Sequence, residues 1–149
     1  MQIIREASDL LPDMTPEEFS KLLVNFYSKK FGETPDSEYV LSLFLEGRLI
    51  VILDEEEVLY LLEHYSFCDQ LLKRYLETFE FIPNLDYSLG NILYVANVFS
   101  DLDFSETRHA THTFLKSIYK ESNKITHVCR SVVSKGGELH FVRVNRRRI

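Results

Sequence analysis

Hydrophobic and polar positions recur along this chain with a period that changes from segment to segment, and each period predicts an element. Residues 2–6 (QIIRE) read as a short strand. Thr15-Pro16-Glu17-Glu18 is a helix start: Thr15 caps, Pro16 suits the first helical position and Glu18 supplies the carboxylate of a capping box. Phe19, Leu22, Leu23 and Phe26 then follow helical spacing, and Gly32 is the stop. A second helix opens near Asp36 or Ser37, turns Val40, Leu41, Phe44 and Leu45 inward, and ends at Gly47.

The run Arg48–Leu53 is continuous and rich in β-branched residues, the pattern of a strand buried on both faces. Beyond it two periods compete. Residues 69–80 fit a helix through Leu71, Leu72, Tyr75, Leu76 and Phe79, whereas 55–65 stay open, because Val58, Leu59, Leu61 and Leu62 suit a helix or a strand. Asp54-Glu55-Glu56-Glu57 fits a solvated helix N-terminus, where the dipole favours negative charge; attraction of a cationic amine or of a hard cation is the functional alternative.

Ile92–Phe99 is the clearest central strand, followed by a polar loop, Ser100–Thr107. A helix runs from about 107 to 121 with Ala110, Phe114, Leu115 and Ile118 as its apolar stripe. Residues 125–133 and 139–144 read as two last strands joined by a tight turn at Ser134–Gly137. The order β-α-α-β…β-α-β-β implies an α/β protein with a mixed central sheet and flanking helices, in one domain spanning 1–149.

Composition adds limits. With 149 residues, 45% of them hydrophobic, the chain can bury roughly 70% of its unfolded surface. That excludes disorder and removes any need for disulfides. Cys68 and Cys129 form no framework and have no C-x-x-C spacing, so both are expected to be small buried residues in a reducing compartment. No signal-peptide apolar region opens the chain and no apolar run approaches 18 residues, so a cytoplasmic protein without a membrane span is expected.

Charge changes the picture more. The net charge of -6 conceals two opposite segments: residues 1–107 carry 7 Lys+Arg against 21 Asp+Glu, and residues 108–149 carry 10 against 2. The basic segment calls for an anionic partner, within the chain or outside it. Its densest part, Arg143–Arg148, suits an acidic protein partner, an oligomer contact or a phosphate, or simply solubilises the end. The acidic remainder and the lack of a nucleic-acid-binding motif argue against specific nucleic-acid recognition.

The arrangement resembles the GNAT superfamily of acyl-CoA-dependent N-acyltransferases. Ile3-Ile4-Arg5-Glu6-Ala7-Ser8-Asp9-Leu10 looks like that fold's first strand with its Arg-x-Ala opening, and Glu46-Gly47-Arg48 like its turn into a strand. The stretch 91–133, a strand, a loop, an Arg-initiated helix and a strand, has the order of the family's acyl-CoA-binding core. There the loop reads Arg/Gln-x-x-Gly-x-Gly/Ala, and its backbone N–H groups hold the CoA pyrophosphate at a helix N-terminus. Here Arg108 matches, while Thr111 and Thr113 replace the glycines and would offer hydroxyls to phosphate. The shortened finish, with Ser134-Lys135-Gly136-Gly137 between the last strands, is similar to toxin-activating lysine acyltransferases and to small phage acyltransferase-like proteins, some of them virion components.

This resemblance implies a divergent N-acyltransferase using acyl-CoA or acetyl-CoA as co-substrate. The alternative is a catalytically inactive GNAT-like interaction or structural protein, virion-associated if of phage origin, that binds an acidic partner through its basic C-terminal segment. Acyl transfer to an amine needs a base, donors for the thioester oxygen and a proton for the leaving thiolate. The central strand offers Tyr94 and Asn97 and no glutamate, so Asp101, at its C-terminal edge, and His112, on the helix, are the candidate catalytic groups. The amides of Val98 or Phe99 can polarise the carbonyl, and Arg108, Thr111 and Thr113 are the candidate phosphate ligands. His109 and His112 share a helix face, and His127 and Cys129 a strand face, but their spacing matches no metal motif; no metal is assigned.

Overall fold

A computed structural model describes residues 1–67, 73, 77, 90–121, 124–133 and 139–145. The turn expected at Ser134–Gly137 lies outside them, as do Cys68 and Arg146–Arg148. Of the expected helix at 69–80, Lys73 and Glu77 alone are described; both are helical and exposed. The chain divides into two compact units, Met1–Glu63 with Asn97–His109, and His64–Ala96 with Ala110–Ile149.

The first unit opens with β1 (Gln2–Ile4), a single 3-10 turn at Ala7–Asp9, and two helices, α1 (Pro16–Phe31) and α2 (Ser37–Leu45). The helix boundaries are set by local chemistry. Thr15 Oγ1 accepts the Glu18 N–H at 3.1 Å, and Gly32, at φ 85°, closes α1 with its N–H on the Ser28 carbonyl. Asp36 caps α2 through the Glu38 N–H, and Gly47, at φ 74°, makes the sharp turn that follows. Phe19, Leu23, Phe26 and Tyr27 form the buried stripe of α1, and the Phe19 ring meets Phe44 of α2 edge-on at 4.9 Å.

The chain then enters β2 (Leu49–Asp54) and β3 (Glu57–Phe67). The segment 55–65 that sequence left open is therefore a turn leading into a strand. Its helical spacing arose because Val58 and Tyr60–Tyr65 are buried continuously, which erases the period-2 alternation of a strand with one wet face. The acidic run is correspondingly not a helix N-terminus. Asp54 pairs with Glu57 across a two-residue hairpin, and Glu55 takes the left-handed conformation at φ 57° that the turn requires. β1 and β2, and β2 and β3, pair antiparallel, with a register shift between Ile52 and Leu53.

Strands β3 and β4 (Ile92–Ser100) run on into the second unit, where the order continues to β5 (His127–Val133) and β6 (Leu139–Asn145). β4 and β5 are parallel over Ile92–Val95 and His127–Arg130, and β5 and β6 are antiparallel. A parallel pair needs a long crossover; α3 (Phe104–Glu121) supplies it, burying Ala110, Phe114, Leu115, Ile118 and Tyr119. In this unit Tyr65 stacks on Phe67 at 5.4 Å and Phe67 packs on Tyr94, while Cys129 is buried. The sheet is thus mixed, as the element order implied. Among the described residues no helix is long and apolar enough to cross a membrane.

Candidate active site

The most unusual side chain of the first unit is Glu63. It lies on β3 opposite Leu49 of β2 and is 4% exposed, a carboxylate in a run of buried apolar residues. Burying such a group is costly unless donors meet it. Two do so at Oε1: the Tyr27 hydroxyl of α1 donates at 2.5 Å, and Asn97 Nδ2 of β4 donates at 3.1 Å. Asn97 is half-buried, so this carboxylate stands one side chain from the surface. Sequence reasoning sought a glutamate on the central strand and missed Glu63 on its neighbour. A signal existed, since a charged residue inside the run Val58–Phe67 is rarely buried without a partner.

Asn97 and Phe99 share a face of β4, because side chains alternate along a strand. The Phe99 ring meets Tyr27 edge-on at 5.5 Å and Phe31 at 6.2 Å, and Val98, on the opposite face, is exposed. Asp101 follows at the strand's end, its N–H donating to the Leu59 carbonyl of β3. Its carboxylate is occupied: Lys29 Nζ lies 3.0 Å from Oδ2, and Lys30 Nζ pairs with Oδ1 while also donating to the Ser100 carbonyl. The hydrogen bonds from Lys30 and then Lys29 hold Asp101 below the usual carboxylate range, which makes it a weaker base.

The helix begins earlier than its apolar stripe indicated. Asp103 caps it: its carbonyl accepts the Thr107 N–H at 2.9 Å and its Oδ1 accepts the Glu106 N–H at 2.7 Å. That N–H, with a further hydrogen bond from the Glu106 carboxyl, lowers the Asp103 pKa; Glu106, bonded to the Asp103 carboxylate and repelled by it, is raised. Ser100 and Thr107 join their hydroxyls at 2.6 Å beside this cap.

The early start moves the sequence-predicted phosphate ligands. Arg108 lies beyond the first turn of α3, and the backbone N–H groups from Arg108 to Thr113 fall within the helix, where each has a carbonyl four residues back. What remains available to an anion there is side-chain chemistry. Arg108, Thr111 and His112 share one face by their three- and four-residue spacing, while Thr113 is turned away from it. Arg108, His112 and Thr113 are exposed and Thr111 is half-buried.

In the second unit Thr126 Oγ1 lies 2.9 Å from His127 Nδ1. Among the described residues no three His, Cys, Asp or Glu side chains are grouped to hold a metal ion. Of the basic run Arg143–Arg148, Arg143 and the two residues after it lie in β6 and the arginines beyond fall outside the described residues.

No protein-family model matches this sequence, and no curated protein matches it. Solved structures do. The loading GNATL domain of CurA from Lyngbya majuscula is similar with a TM-score of 0.60 at 11% identity, over 80% of this chain and 63% of that one. The chain thus spans less than two thirds of that domain's length. A possible acetyltransferase from Clostridium difficile 630 aligns at 17% identity over 91% of this chain and 82% of that chain, with a TM-score of 0.46. At 11% identity the likeness to the CurA domain shows the fold, a GNAT-like α/β sheet, and not a reaction. The finer likeness to toxin-activating and phage proteins is not carried by it.

Proposed function

We propose that this chain is an acyl-CoA-dependent N-acyltransferase in which Glu63 is the base. The observation that carries the reading is the Glu63 carboxylate itself, kept in the interior of a GNAT-like sheet and aimed by Tyr27 and Asn97. An amine brought to the outer side of Asn97 loses its proton to Glu63 across one intervening water. Its neutral nitrogen attacks the thioester carbonyl carbon; the C–N bond forms, the C–S bond breaks, the surplus proton on nitrogen passes to the departing thiolate, and Glu63 returns its proton to solvent. The backbone N–H of Val98 or Phe99 stabilises the carbonyl oxygen as negative charge develops on it.

Acetyl-CoA or a longer acyl-CoA is the donor. Its phosphates fit the Arg108 guanidinium and the Thr111 hydroxyl on the same face of α3 better than the helix N-terminus, where the Asp103 and Glu106 carboxyls stand. His112, exposed on the Arg108 face, is a second anion contact when protonated.

The test is release of free CoA thiol from acetyl-CoA with a primary amine acceptor. Glu63→Gln is expected to lower kcat by about 10²-fold or more with little change in the KM for acetyl-CoA. Equal turnover by the variant removes Glu63 from the chemistry.

One observation favours a second reading, a catalytically silent GNAT-like interaction protein. Asp103 places a carboxylate of the chain's own at the helix N-terminus, where the fold otherwise receives a phosphate. Thermal unfolding separates the two. A bound acyl-CoA stabilises by about 2.7 kcal/mol at 100 times its dissociation constant, and no shift with any CoA ester at saturating concentration selects the silent protein.

A further inference from the structure

Two exposed groups of like charge in this chain have opposite sign. The first lies on α3, where His112, Lys116 and Lys120 recur every four residues and so stand in one row, each step advancing about 6 Å along the helix. All three are exposed, and no Asp or Glu occurs between Glu106 and Glu121 to neutralise them. The second is the hairpin between β2 and β3, where Asp54, Glu55, Glu56 and Glu57 are exposed together and Asp54 faces Glu57 directly. Among the described residues, the side chains of neither group make an ion pair or a hydrogen bond. The division extends to the two compact units: the first carries 6 Lys+Arg against 17 Asp+Glu, and the second 11 against 6.

We infer that Lys116 and Lys120 dock the acidic β2–β3 hairpin of a second copy of this chain, in a head-to-tail association that salt dissolves. Charge complementarity selects this occupant. A cationic row takes an anionic partner, but a nucleic acid or an unrelated acidic protein would bring its charge toward a chain whose first unit is itself strongly acidic. A second copy supplies the acidic surface and a basic one together. Docking also relieves the repulsion between Asp54 and Glu57, which an isolated hairpin bears uncompensated. Because the two surfaces differ, each bound copy keeps one free row and one free hairpin, so the association runs past a dimer until it closes into a ring or grows as a filament. The inference is independent of the acyltransferase reading.

The experiment is sedimentation of the full chain over a range of concentrations, in about 0.02 M and then about 0.5 M NaCl. At low salt the average mass is expected to rise with concentration past that of a dimer, and at high salt the association is expected to weaken at least tenfold. Lys116→Gln/Lys120→Gln and Glu56→Gln/Glu57→Gln are each expected to weaken it by as much at low salt, with melting curves to show that both variants fold. Alanine at the same positions serves where glutamine does not fold. Mixed in equal amounts, the two variants are expected to form a complex that stops at one copy of each, since the mixture offers one intact row and one intact hairpin. A wild-type mass that stays at the monomer, association that survives either pair of substitutions, or a mixture that does not associate overturns the inference. So does binding of a mixed-sequence oligonucleotide that Lys116→Gln/Lys120→Gln abolishes in a chain that remains monomeric, which assigns the row to nucleic acid.

Discussion

Tyr27 and Glu63 stand 36 positions apart in sequence, yet the Tyr27 hydroxyl donates to the Glu63 carboxylate at 2.5 Å, with both residues buried. Such a bond is worth most when its loss strands a charged acceptor away from water. Tyr27→Phe keeps the ring and its contact with Phe99 and removes only that donor. The expected loss is about 1–3 kcal/mol of unfolding free energy, measured by urea denaturation of the two proteins. A change within error would show that water replaces the hydroxyl at no cost.

Asp101 gives the stability of the chain an acid limb. Lys30 and Lys29 hold its folded-state pKa below the unfolded value, so at low pH the unfolded state binds more protons than the folded state. The stabilisation is therefore complete above about pH 5 and is lost as pH falls through the depressed pKa, below about 4. Asp101→Asn should flatten that limb and leave the difference between the two proteins constant from pH 6 to 8. Because the pair is partly solvated, 1 M salt should shrink the difference. Parallel acid titrations of melting temperature at low and high salt would settle both points.

The hairpin between β2 and β3 is held against two local preferences. Glu55 occupies a left-handed conformation that favours glycine, and Asp54 faces the like-charged Glu57 directly across the pair. Glu55→Gly is expected to raise stability by about 1 kcal/mol. Glu57→Lys should add a smaller, salt-sensitive gain. Thermal melts of the single and double variants check whether the two gains add.

Gly90 has the opposite tolerance. A Cβ at this position would fall on the backbone of Phe67, closer than real Cβ atoms approach, and backbone cannot turn aside as a side chain can. Ser66 Oγ also donates to the Gly90 carbonyl at 2.8 Å, holding the approach. Gly90→Ala should cost about 1–3 kcal/mol through overpacking, whereas alanine in the open space beside Gly32 meets no atom and is opposed only by its backbone angle. Comparing denaturation midpoints of the two variants distinguishes the mechanisms.

Most of the architecture follows from local chemistry and could be read from sequence. Thr15, Pro16 and Gly32 set the ends of α1, Asp36 starts α2, and Leu49–Asp54 and Ile92–Ser100 are strands because their apolar runs are too short and too continuous for a surface helix. The α3 stripe of Ala110, Phe114, Leu115 and Ile118 is likewise buried. The segment around Val58–Leu62 resisted because full burial removes periodicity, and the start of α3 because its first turn, Phe104–Thr107, has no buried side chain to mark it.

The site divides along the same line. Sequence alone determined that the chain is a mixed α/β protein with a basic C-terminal segment and supplied Asp101, Arg108 and their neighbours, because spacing within one element fixes which residues adjoin. Tertiary structure decided what those residues are doing. It turned Lys29 and Lys30 onto Asp101, set Asp103 on the helix N-terminus, and brought Tyr27 and Asn97 from α1 and β4 to Glu63. Hydrogen bonds of this kind join elements remote in sequence, and only the pairing of strands and the seating of a helix bring their partners within reach.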